Sequence, residues 1–114
     1  MGATAVLLFC VPASPLAQPW PTLAGNTLSA LIGVACFQLV GETGVAVALA
    51  GLVAIGTMFV LRCLHPPGGA MALTAVLGGP AIHELGYGFA LVPVMANTAA
   101  MLLFAALFNN LVGR

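Results

Sequence analysis

The chain has 114 residues, 62% hydrophobic and 4% charged, with zero formal net charge and a mean hydropathy of +1.20. A soluble domain carries about 25% charged residues; the charges here are Glu42, Arg62, Glu84 and Arg114 alone. That inventory excludes a soluble enzyme, a disordered linker and a nucleic-acid binder, which needs clustered Lys and Arg, and leaves a single-domain, all-α integral membrane protein.

The first apolar run, 2–11, ends at a stretch holding Pro12, Pro15, Pro19 and Pro21. It imitates a signal peptide but lacks the basic start and a good cleavage site. Residues 23–40 are uncharged and close at Gly41-Glu42-Thr43-Gly44. As a helix they cover about 27 Å, close to the ~30 Å hydrocarbon core. A second long run, 45–64, has Arg62 near its end, where the side chain can snorkel to the interface. The run 67–77 is bounded by His65-Pro66-Pro67-Gly68-Gly69 and Gly78-Gly79-Pro80. The last run, 89–108, contains Pro93, which is expected to kink it. Three spanning helices are therefore predicted near 23–40, 44–64 and 87–111, with two short re-entrant or broken half-helices near 2–11 and 67–78. Gly25, Gly33, Gly51 and Gly56 supply small faces for helix contact.

The two short runs resemble each other. Gly2-Ala3-Thr4-Ala5-Val6 matches Gly69-Ala70-Met71-Ala72-Leu73, and Asn26-Thr27 matches Asn97-Thr98. Each run precedes a loop and a long helix, the pattern of an internal repeat at a transporter site. If 67–77 is re-entrant, parity makes 23–40 and 89–108 run in the same direction. The repeat is then parallel, Glu42 and Arg114 share one face, and a further helix is expected before residue 1. With one arginine against one, the positive-inside rule gives no orientation.

The candidate site centres on the second half-helix. Proline at 66 and 67 suits a helix start, because that first N–H is unpaired anyway. Gly68 and Gly69 allow close approach of a backbone or a solute. A helix N-terminus offers free N–H groups and about half a positive charge, which favours anions. His65 lies beside it, and Arg62 can raise the local anion concentration. Gly2, Thr4, Asn26 and Asn97 join the site through the paired runs. His65 is expected to face a wet cavity between the half-helices. The plainer reading has it capping a helix or bonding another segment's carbonyl. A half-helix that starts at mid-membrane turns its positive end to the pore and suits an anion; one that starts at the surface suits a cation. Both geometries remain open from sequence.

Elsewhere the plain readings prevail. Trp20 and Tyr87 read as interfacial belt residues, and Thr27, Gln38 and Thr98 as interhelical bonders. His83-Glu84 read as a solvated loop pair. Cys10, Cys36 and Cys63 have no metal or redox spacing. No metal site, catalytic residue or cofactor is expected.

The run Arg62-Cys63-Leu64-His65-Pro66-Pro67-Gly68-Gly69-Ala70 resembles the HPP family of integral membrane proteins, named for its His-Pro-Pro tripeptide. So do Gly2-Ala3-Thr4-Ala5-Val6-Leu7-Leu8-Phe9 and Pro15-Leu16-Ala17-Gln18-Pro19-Trp20. The resemblance covers nearly the whole chain. It implies four spanning helices, one of them before the Gly-Ala segment, and a soluble regulatory CBS region after the last helix in some bacterial members. It also implies small-solute transport, with nitrite attributed to chloroplast and cyanobacterial members. The leading expectation is a channel or secondary transporter for a small inorganic anion such as nitrite. The alternative is a structural or assembly subunit without transport of its own. An intramembrane enzyme lacks suitable catalytic groups, and no ATP-binding motif accompanies the chain. The expected partners are the lipid bilayer, the anion and further copies in a homo-oligomer, with no nucleic acid. The expected location is the bacterial inner membrane.

Overall fold

A computed structural model describes residues 1–113 as helices joined by tight turns. Arg114, and with it the expected position of its charge, lies outside the described residues. The helices are α1 (Gly2–Cys10), α2 (Pro19–Val40), α3 (Gly44–Val60), α4 (Pro67–Leu77), α5 (Pro80–Leu85) and α6 (Ala96–Leu111).

Local chemistry sets the boundaries. Ser14 Oγ accepts the Leu16 N–H and closes the short turn Pro15–Ala17. Pro19 starts α2 where a missing N–H costs nothing. Gly41, at φ 84°, ends it in a conformation that a side chain resists. Thr43 caps α3 by accepting the Ala46 N–H at 3.2 Å. Before α6, the wide turn Ala90–Met95 carries extended dihedrals at Val92 (φ −135°, ψ 117°), as the residue before a proline prefers. The expected break at Pro93 is present.

Two segments are long and apolar enough to cross a bilayer, Pro19–Val40 and Ala90–Leu111. Gly44–Val60 is equally apolar but has 17 residues. The expected third span, 44–64, is thus shortened: the helix stops at Val60, and Arg62 sits exposed in the following turn at φ 54°.

Contacts fix the helix directions. Gly68 of α4 abuts Gly25 O and Ser29 Oγ of α2, and two turns further along Gly33 abuts Ala72 and Ala75. So α4 runs parallel to α2, starting beside Gly25 and descending toward the end where α2 stops. There His83 of α5 stacks on Phe37, and Gly86 approaches Gln38. The chain then turns back, and Thr98 of α6 meets Asn26 of α2. From 38 to 26 on α2 the chain advances from 86 to 98 on the other side, so α6 is antiparallel to α2. Trp20 marks one end of the molecule, where its Nε1–H donates to Leu61 O at 3.3 Å, and Glu42 marks the other.

This arrangement corrects the expected parallel repeat. The segment 67–77 is not re-entrant: it continues to the Glu42 end, where the short helix α5 replaces the anticipated loop. The chain thus passes between the Trp20 and Glu42 ends once more than the expected parity allowed, and α2 and α6 point in opposite directions. Thr4 of α1 also lies beside Asn26, while Phe9 meets Phe108 and Leu8 O accepts from Asn109 of α6. So α1 is parallel to α6 just as α4 is parallel to α2. The pair α1–α2 and the pair α4–α6 therefore run in opposite directions, the sense of an inverted repeat.

The α2–α4 contact is the tightest. A methyl group at Gly25 would meet His65 Cβ at 2.7 Å, and one at Gly33 would collide with the Ala72 carbonyl. α3 closes the other side with Ala46, Ala50, Ala54 and Met58, a row at four-residue spacing with no exposure. Of the other two glycines expected in helix contacts, Gly51 leaves room for a methyl group in ordinary contact with Leu73 of α4, and Gly56 faces open space.

Candidate functional site: a buried polar seam

Thr4, Asn26, His65 and Thr98 have 0% exposure, and they meet at the crossing of the two inverted halves. Each belongs to a different element: α1, α2, the bend before α4, and α6. His65 Nδ1 lies 2.8 Å from Leu16 O, and a carbonyl only accepts, so Nδ1 carries the proton. Nε2 of the neutral ring is then an acceptor, and Thr4 Oγ1–H donates to it across 3.1 Å. Asn26 Nδ2 donates to Thr4 Oγ1 at 3.0 Å and reaches toward Thr98 Oγ1 at 3.4 Å. Thr98 Oγ1–H donates to Val94 O at 2.7 Å, its own preceding helical turn. The donors therefore run in one order from Asn26 through Thr4 to His65.

Asn26 Oδ1 is buried and makes no hydrogen bond, and the same holds for Thr22 Oγ1 and Ser29 Oγ. Positions 22, 26 and 29 share one face of α2. Thus three unbonded oxygens line the interior beside the bonded chain.

Apolar clusters close the seam at both ends. Leu8, Ala17 and Ala105 pack together toward the Trp20 end; Ala30, Val34, Met71, Ala75, Phe89, Ala90 and Val94 do so toward the Glu42 end. Outside the first cluster lies a cleft of about 200 Å³ with Gln18 and Asn109 in its wall.

The expected site residues separate accordingly. Thr4, Asn26 and His65 come together. Pro67 and Gly68 are buried against α2, whereas Pro66 is exposed and Gly69 has open space above its Cα. Gly2 and Asn97 are exposed, and Thr98 takes the place expected of Asn97. Adjacent helical residues point about 100° apart, so only one of an Asn-Thr pair can face the seam. Arg62 is exposed beyond it.

Two further expectations are corrected. His65 does not line a wet cavity, because Thr4 and Leu16 already satisfy both ring nitrogens. The cleft between α1 and α4, about 500 Å³, is lined instead by Ala3, Val6, Leu7, Pro66, Pro67 and Ala70. Nor are the Gly68 and Gly69 N–H groups free at the start of α4; they donate to His65 O and Pro66 O at 2.8 and 3.1 Å. At the opposite end His83 is no solvated loop residue. Its ring stacks on Phe37 with centroids 3.5 Å apart, and Nε2–H donates to Val76 O in the last turn of α4. Among the described residues no cluster of His, Cys, Asp and Glu could hold a metal.

The family description "HPP, transmembrane region" matches residues 1–114. Two transmembrane proteins of Dictyostelium discoideum are 41% and 42% identical over 113 residues, covering 96% of this chain in each case. The chain spans 36% and 39% of the lengths of these relatives. No solved structure matches it. With the His-Pro-Pro bend at the centre of its fold and the family description running its whole length, the chain belongs to the HPP family of integral membrane proteins.

Proposed function

We propose that this chain forms the core of a secondary transporter for a small inorganic anion, with nitrite as the first candidate. The observation that carries the reading is the closed polar seam at the crossing of two inverted halves. Polar groups at membrane depth are costly and commonly mark a solute pathway, and inverted halves around a midplane site are the architecture of alternating access. Apolar clusters on both sides make this an occluded arrangement rather than an open pore.

The preference for an anion is supported by what the seam lacks. The chain has no aspartate, and Glu42 and Glu84 are both exposed at the Glu42 end. Cation pathways place carboxylates on their walls. Here the ionisable side chain within the bonded seam is an imidazole, which becomes positive. It adjoins the start of α4, whose dipole is positive there. That start lies beside Gly25, about 9 Å along α2 at ~1.5 Å per residue. In this reading Gly44–Val60 serves as a third, short span, and two or three chains associate in the bilayer, which a detergent-corrected mass checks.

The deciding experiment is nitrite uptake by proteoliposomes holding the full-length protein. Saturable uptake above that of protein-free vesicles is the expected result. Uptake equal to protein-free vesicles would leave a structural or assembly subunit as the better reading.

A further inference from the structure

We infer that the His65–Thr4–Asn26 chain is a proton-operated switch, and that a proton and a monovalent anion enter the seam together. The inference rests on the transport reading above and adds the coupling ion and the residue that takes it.

The donors in the seam run one way. Leu16 O holds the Nδ1 proton, so a second proton on the ring can go only to Nε2, through its lone pair. Nε2–H must then donate to Thr4 Oγ1, 3.1 Å away, which breaks the bond that Thr4 had donated to Nε2. The Thr4 hydroxyl proton has to turn toward another acceptor. The amide now facing Thr4 presents Nδ2, a donor, at 3.0 Å, while Asn26 Oδ1 is buried and unbonded on the same side chain. Turning the amide end over end satisfies Thr4 with Oδ1 and gives up the long 3.4 Å contact of Nδ2 with Thr98 Oγ1. The same rotation brings the N–H pair to where Oδ1 had been, on the face of α2 that also carries Ser29 and Thr22, whose hydroxyls have no partner. Protonation thus replaces an acceptor by donors on the free side of Asn26 and leaves one positive charge in the seam. No bond other than Nε2–H is made, and the proton count rises by one. A small monovalent anion, held by the Asn26 N–H groups and one of the flanking hydroxyls, balances that charge.

The groups around the ring do not compete for this role. Thr4 on α1, Leu16 in the loop, Gly25 and Asn26 on α2 and Met58 on α3 are uncharged, as is Thr98 on α6, which lies beyond Asn26. Cys63 is the nearest other titratable group and is buried; Arg62 is exposed beyond it. His83, Glu42 and Glu84 lie at the other end of α2, where His83 stacks on Phe37.

The test combines flux with direct observation of the imidazole. In proteoliposomes of the full-length protein, nitrite uptake, corrected for protein-free vesicles, is expected to rise at least tenfold as external pH falls from 8 to 6. It should not respond to an imposed membrane potential. His65→Gln, which offers a donor and an acceptor but cannot charge, should lose the pH response. Thr4→Ser should retain it and Thr4→Val lose it. Nitrogen NMR of His65 in the wild type should show added nitrite moving its titration to higher pH, since coupling is reciprocal. Wild-type uptake that follows the potential, or a pH response unchanged in His65→Gln, would overturn the switch while leaving transport standing. A ring that takes no second proton between pH 5 and 8 would overturn it whatever the flux. No uptake at any pH would overturn the transport reading and the switch with it.

Discussion

Asn26 shows how a single side chain can join two halves of a membrane protein. Its amide nitrogen touches Thr4 of α1 and Thr98 of α6, so it links three helices through one group. Interhelical hydrogen bonds in membranes average about 0.6 kcal/mol and reach about 1.7. Asn26→Ala is therefore expected to destabilise the folded protein by about 1 kcal/mol, read from unfolding in detergent. Asn97→Ala should leave stability unchanged, since Asn97 is exposed. The sequence led to Asn26, Thr4 and His65 because polar groups stand out in an apolar chain. It pointed to Asn97 where Thr98 fills the place, because that choice depends on the helix rotation set by Pro93 and the turn before it. Nor could it find Leu16, whose contribution is a backbone carbonyl that any residue would supply.

Among the elements, α2 and α4 show where run length succeeds and where it misleads. Their boundaries follow from glycine, proline and apolar length, and the structure keeps them within a few residues. The direction of α4 is different, because it rests on which glycines are in contact. Gly25, Gly33 and Gly68 permit the parallel α2–α4 packing, whereas Gly51 and Gly56 were equally prominent in sequence and pack against little or nothing. Gly33→Ala should cost about 1–3 kcal/mol by overpacking, because the added methyl meets the Ala72 carbonyl. Gly56→Ala should be neutral or slightly stabilising through helix propensity. Thermal unfolding of the two variants in detergent separates these outcomes. The short helix α5 was hidden because Pro80 and Gly86, which start and stop it, read equally well as loop punctuation.

For the whole molecule, membrane character and the family were legible at once, the first from composition and the second from the His-Pro-Pro run. The mutual orientation of the halves was not, since a single misassigned crossing reverses every helix after it. The antiparallel course of α2 and α6 has a consequence for biogenesis. Arg62 sits at the Trp20 end, while Glu42 and Glu84 both lie at the far end, so the described residues form a molecule with one basic and one acidic pole. Insertion machinery retains short basic loops on the cytoplasmic side and largely ignores acidic ones. The segment should therefore enter the bilayer with its Trp20 pole inward. Cys10 is exposed near that pole and serves as a native reporter. An impermeant thiol reagent should leave it unlabelled in intact cells and label it in inverted vesicles. Moving Arg62 to the Glu42 turn should weaken that preference, so in a nearly uncharged chain the placement of one side chain bears on which compartment each pole faces.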